Sequence, residues 1–159
     1  MERRIMDVYK NLEALGIELP EPAKPGGVYS PVIELDNRMV YVSGNGCGVN
    51  GKVLIKGKVG REVSLEQGQE AAKNCVVNIL KNLQKTIKDL NRVKRVVKML
   101  AFVASDPEFY QQPAVANGAS ILIAKIFGDE IGKPTRSAIG VCALPNNMPI
   151  EIEMVFEVK

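Results

Sequence analysis

The 159-residue chain contains no histidine. That absence removes Ser-His-Asp and Cys-His nucleophilic catalysis, histidine-ligated zinc and histidine-based RNA cleavage from the chemistry this chain can perform. Proton transfer near neutral pH is left to Asp, Glu, Lys, Tyr, Cys, backbone groups or water. Cysteine is scarce too. Cys47, Cys75 and Cys142 are odd in number, widely spaced and in no CxxC pair, which argues against a disulfide framework or a thiolate metal site and for free buried thiols. Aromatic residues make up 5% and the net charge is +3, so neither stacking side chains nor basic charge marks a nucleic-acid binder. No apolar run approaches the roughly 20 residues of a membrane span. The opening MERRIMDVYKNLEALG lacks the unbroken apolar segment of a signal peptide. The expectation is a cytoplasmic protein with no membrane partner.

What is present, 46% apolar and 25% charged residues, suits one soluble domain with a proper core. Residues 3–15 read as an amphipathic helix, with Ile5, Tyr9, Leu12 and Leu15 on one face and Gly16 as its stop. A Pro/Gly-rich stretch, 19–27, follows as an extended surface linker. Strand-like runs occupy 30–35, 39–44 and 53–59. Ser64 and Gln67 form a capping-box pair ahead of a long helix, whose apolar face runs from Ala72 through Cys75, Val76, Ile79, Leu80, Leu83 and Ile87 to Leu90. Its other face carries Lys73, Lys81, Lys85 and Lys88, read as solvated surface because no aromatics interleave. A strand at 95–105 precedes a second long helix that begins near Pro113, buries Val115, Ala119, Leu122 and Ile126, and ends at Gly128. Two last strands, about 137–143 and 150–157, are expected to pair as a hairpin.

The string of elements predicts an α+β domain in which one mostly antiparallel sheet of about six strands is covered on one face by two long helices. The other face is left bare. Packing against copies of the same chain covers it economically; the alternative is the N-terminal helix, a small cover for so many strands.

Charges isolated within the last strands point to chemistry. Arg136, at a strand entrance, is suited to hold a carboxylate through two parallel hydrogen bonds, or it forms an ordinary surface ion pair. Glu151 and Glu153 share a strand face, either for proton handling or as the wet side of an edge strand. In a tight hairpin Arg136 lies roughly 20 Å from Glu151, at about 3.3 Å per residue. A site using both then has to bridge two subunits. Ser43-Gly44-Asn45-Gly46 makes a glycine-flanked polar turn, an anion cradle or a flexible loop. Tyr29 is a pocket wall or a core residue. Asn117, inside a helix, is read as bonding nearby backbone.

Together the Tyr29 strand, Val42-Ser43-Gly44, the Asn117 helix, Arg136-Ser137, Leu144-Pro145 and Glu151-Ile152-Glu153 resemble the RidA/YjgF family of reactive intermediate deaminases, also labelled L-PSP endoribonucleases or translation inhibitors. Residues 24–159 resemble its core domain; residues 1–23, helix and linker, resemble its longer members. The resemblance implies a homotrimer of chorismate-mutase-like (bacillus-type) subunits with clefts between neighbours. It also implies hydrolysis of 2-imino or enamine acids to 2-keto acids and ammonia, with no metal or organic cofactor. By that pattern Arg136 holds the substrate carboxylate and Glu151 orients or deprotonates water. Tyr29, Ser43, Gly44, Asn117 and Ala138 line the cleft around a small carboxylate-bearing metabolite. Two departures stand out: Ala138 occupies a position often filled by cysteine, and Asn45-Gly46-Cys47 follows where glutamine is usual. A carboxylate-binding module without catalysis is the alternative, and RNA ranks last as a partner.

Overall fold

Ile150, Ile152, Met154, Phe156 and Val158 alternate with residues of partial or full exposure, and all five are buried. A strand with that period must lay one face on a core. In the computed structural model, which describes residues 7–19 and 21–159, this strand lies in the middle of the sheet. The elements are α1 (Val8–Ala14), β1 (Val32–Glu34), β2 (Met39–Gly46), α2 (Leu65–Ile87), β3 (Val93–Ala104), α3 (Gln112–Gly132), β4 (Thr135–Val141) and β5 (Ile150–Val158). The strands lie in the order β1-β2-β5-β3-β4. All neighbours are antiparallel except β3 and β4, which run parallel because α3 carries the chain back across the sheet between them.

Three expectations are corrected here. The sheet has five strands, not about six. Residues 53–59 make only isolated bridges, since positive φ at Gly57 and Gly60 (115° and 88°) breaks the extended run; Val59 alone reaches the end of β3, at Ser105. Nor do the last two strands form a hairpin. β3 separates them, and the connection steps over it through a 3-10 turn at Pro145–Asn147, with Asn146 and Asn147 at positive φ. The helix at Pro113 continues past Gly128, which kinks it (φ 75°, ψ 159°) rather than ending it.

α2 matches its reading closely. Ser64 and Gln67 exchange both capping-box hydrogen bonds, and the helix buries its apolar stripe against β5, β2 and α3. The two long helices cross closely at Gly118, where an added Cβ would sit 2.8 Å from Gln69 Cα. Gly118→Ala is therefore expected to cost about 1–3 kcal/mol, as other overpacked cores do, read as a lower unfolding midpoint in urea. A variant as stable as wild type would show that the helices separate freely there.

α1 does not cover the bare sheet face. It docks against α3 and the turn after α2. Asn11 Nδ2 donates to the Ile126 carbonyl, Val8 N–H donates to Asn91 Oδ1, and the Tyr9 hydroxyl accepts from Leu90 N–H and Gln84. Of the stripe read for this helix, Ile5 lies outside the described residues. On the open side of the sheet Ile33, Tyr41, Val155 and Lys98 form one row across β1, β2, β5 and β3, and Glu151, Phe102 and Ile139 belong to another. Ile33, Tyr41 and Ile139 are each nearly half exposed there. Among the described residues no helix is long and apolar enough to cross a membrane.

Candidate functional site

A bulge sets the first half of the site. Val42 pairs with Met154 and Asn45 with Ile152, so the Ser43-Gly44 segment takes one residue more than its partner strand. The bulge brings Gly44 against Glu151: a methyl group built on Gly44 would overlap Glu151 Oε1. Only glycine leaves the carboxylate that space. Ser43 Oγ donates to the Ser30 carbonyl (2.7 Å) and Ser43 N–H to that of Pro31 (2.9 Å), which fastens the segment carrying Tyr29 along β2. The Tyr29 ring is half exposed and faces a cavity rather than the core.

Glu151 lies on the open sheet face, since its neighbours Ile150 and Ile152 point into the core. It is half buried. That burial pushes its carboxyl above the usual carboxylate range, and the like charge of Glu153 pushes it further the same way.

The second half lies on β4. Arg136 pairs with Met99, whereas Glu151 pairs with Phe102, with β3 between the two strands. Strand geometry puts their Cα atoms roughly 14 Å apart, not about 20 Å as a hairpin would. More decisively, they point to opposite faces. Arg136 turns toward α3, where its Nη1 donates to Asn117 Oδ1 (2.8 Å) and Ser120 Oγ (2.9 Å). So Asn117 holds a guanidinium, not nearby backbone. Both helix partners are neutral, and among the described residues no carboxylate lies within 4.0 Å of Arg136. The surface ion pair is thereby replaced by an oriented, uncompensated cation. Ala138, two residues on, packs against the core beside it.

The chain thus assembles Tyr29, Ser43, Gly44 and Glu151 in one place, Asn117, Arg136 and Ala138 in another, and does not bring the two sets together. Sequence reasoning missed Ser120, although it lies three residues from Asn117 on the same helix face. It also missed Asn78 and Asn82, four apart on α2. Asn78 Nδ2 donates to the carbonyls of Gly46 and Gly48, and Asn82 Nδ2 to Asn45 Oδ1, which pins the loop after the bulge. The thiols divide: Cys47 and Cys75 are buried as expected, but Cys142 is exposed after β4. Burial pushes the Cys75 thiol well up, with smaller contributions from Cys47 and Glu151, so it is a poor nucleophile. Of the lysine face of α2, Lys73 pairs with Glu70 and Lys85 with Glu21 at the surface, whereas Lys81 is partly buried.

Residues 20–158 match the family model described as Endoribonuclease L-PSP. The chain is 38% identical to Protein TCP17 of Trypanosoma cruzi, over 96% of this chain and 94% of that one. Among solved structures it resembles Atu1372 of Agrobacterium tumefaciens, a protein of unknown function, with 38% identity, a TM-score of 0.87, and coverage of 96% of this chain and 92% of that chain. A structure from Shewanella oneidensis MR-1 superposes with a TM-score of 0.90 at 26% identity, covering 96% and 99%.

Proposed function

Since the chain belongs to the L-PSP endoribonuclease family, also called RidA/YjgF, we propose that it hydrolyses 2-imino and enamine acids to 2-keto acids and ammonia in clefts between the subunits of a homotrimer. The observation that carries this reading is the division of the site. A guanidinium without a counter-ion and a glutamate with a raised pKa are fixed on opposite faces of one sheet. Neither completes a site alone, and each is complemented by the other on a neighbouring copy. The half-exposed Ile33, Tyr41 and Ile139 give the open faces an apolar reason to meet.

The chemistry asks little of the protein. An iminium carbon is already electrophilic, so holding the acid and positioning water supply most of the catalysis. Arg136 of one subunit binds the carboxylate through the guanidinium nitrogens left over by Asn117 and Ser120. Glu151 of the neighbour accepts a proton as water adds to C2, giving a carbinolamine. It returns that proton to the amino nitrogen, the C–N bond breaks, and the hydroxyl proton leaves as the ketone forms. The sum is R–C(=NH2+)–COO− plus water giving R–CO–COO− plus NH4+. A carboxyl of raised pKa suits both halves of this transfer, and its protonated form can donate to an enamine carbon. Ala138 in place of the usual cysteine removes a polar side chain beside Arg136 without touching the carboxylate clamp.

The test is ammonia and keto-acid release from 2-imino acids generated in situ by an amino-acid oxidase, with kcat/KM followed against pH. Acceleration over buffer is expected, falling on the acid side as Glu151 takes up its proton. Glu153→Gln removes the like charge, so the acid limb should move to lower pH. No acceleration for any member of the panel would sink the deaminase reading, and an acid limb unmoved in Glu153→Gln would remove Glu151 from the proton transfer.

A further inference from the structure

A cavity of about 520 Å³ shares Tyr29, Ser43 and Gly44 with the Glu151 half of the site, although Glu151 itself does not line it. One wall is Tyr29, Ser43 and Gly44, the residues that frame the reaction centre in the reading above. The far wall is α2, which presents Asn78, Lys81 and Asn82. The amides of Asn78 and Asn82 are spent on the loop that floors the cavity. Lys81 is not spent in this way. Its ammonium meets only Asn78 Oδ1, at 3.3 Å, and among the described residues no carboxylate lies within 4.0 Å of it. Two other charges line the cavity. Glu21 is taken up by Lys85 at 3.4 Å, and Lys24 adds a second positive charge. The lining mixes apolar residues (Pro22, Pro31, Val53, Met148) with polar and charged ones, and its two lysines outnumber its one carboxylate. Burial lowers the Lys81 pKa, in keeping with an ammonium that has lost water without gaining a counter-ion.

We propose that this cavity receives the side chain of the substrate and that Lys81 binds a second carboxylate there, which makes 2-imino dicarboxylic acids the preferred class. The proposal rests on the deaminase reading for the position of C2 and takes the ligand chemistry from the cavity itself. An acid held at one end by Arg136 of the neighbouring subunit presents C2 to Glu151. Its chain then passes Gly44, which lines the cavity, around the end of β2 toward α2. A distal carboxylate supplies what Lys81 lacks, in a charge-assisted bond where water is already partly excluded.

The experiment compares 2-iminoglutarate with 2-iminobutyrate in wild type, Lys81→Met and Lys81→Arg. Calorimetric binding of the stable ketones 2-oxoglutarate and 2-oxobutyrate is measured in parallel. Wild type should favour the dicarboxylate. In Lys81→Met the ratio of the two kcat/KM values should fall about tenfold or more, mostly through KM, with 2-oxoglutarate binding weakened in step. Lys81→Arg keeps the charge and should hold the ratio within about threefold. A ratio unchanged in Lys81→Met, or a wild type that prefers the monocarboxylate, overturns the proposal. The two readings fail separately. Turnover of 2-iminobutyrate without discrimination leaves the deaminase and removes the dicarboxylate. Weakened 2-oxoglutarate binding in Lys81→Met, in a protein that turns over neither imine, leaves the dicarboxylate cavity and removes the deaminase.

Discussion

Co-expressing a subunit that carries Arg136→Ala with one that carries Glu151→Gln is expected to return about one quarter of wild-type turnover, although either variant alone returns almost none. The arithmetic follows from the geometry. Arg136 points to α3 and Glu151 to the open sheet face, so in the proposed ring each site takes one from each of two neighbours. In any closed ring assembled at random from equal amounts, a given site has an intact arginine on one side and an intact glutamate on the other about one time in four. Tagging the two subunits differently and purifying through both tags enriches the mixed rings and should raise the yield. Mixed rings that form yet remain inactive would show that both residues act within one subunit; a single variant that keeps its activity would show that the residue it lacks does not act.

Glu151→Gln alone should lower kcat by about 10²–10⁴-fold, the usual range for a lost acid–base group, while KM changes little because Arg136 still holds the acid. The same substitution should leave the protein as stable as wild type, or more so, at neutral pH. A carboxyl whose pKa is raised on folding holds its proton more tightly in the folded state. Stability is therefore lost as pH climbs from the ordinary carboxylate range through the raised value. Glutamine carries no charge to bury, so the gap in thermal midpoint between variant and wild type should widen from about pH 4 to about pH 7. A large loss of stability independent of pH, or an undiminished kcat, would refute the assignment. The combination matters because an inactive variant that has merely unfolded cannot produce it.

The parts of this fold that sequence revealed are those decided locally. The α2 capping box needs only residues three apart, and its buried stripe only a period. The alternation of β5 likewise declares which side meets the core. Pairing is decided elsewhere. β4 and β5 follow one another with a turn between, yet α3 sets β4 parallel to β3 and β5 enters between β2 and β3, a choice made by pairings 37 to 118 residues apart in the chain. The glycines at 57 and 60 were visible, but that they turn the chain instead of ending a strand depends on where Val59 meets Ser105. For the candidate site, the family resemblance supplied the residues, and their division between two places came only with the strand order. The expectation that Arg136 and Glu151 do not meet within one chain holds for a reason the hairpin did not contain: opposite faces rather than distance along a strand. Asn117 was misread because its partner lies on a strand nineteen residues away.

The central place of β5 also bears on how the protein is made. The last strand of this sheet in chain order is the one that joins β1–β2 to β3–β4. Until Ile150–Val158 leaves the ribosome, the nascent chain holds two sheet fragments with complementary open edges and no means of uniting them. Emergence of β5, rather than of the first helices, is the step that permits the domain to close. A chain that stops before Ile150 therefore yields two exposed edges instead of a shortened protein, the kind of species that chaperones and proteases remove.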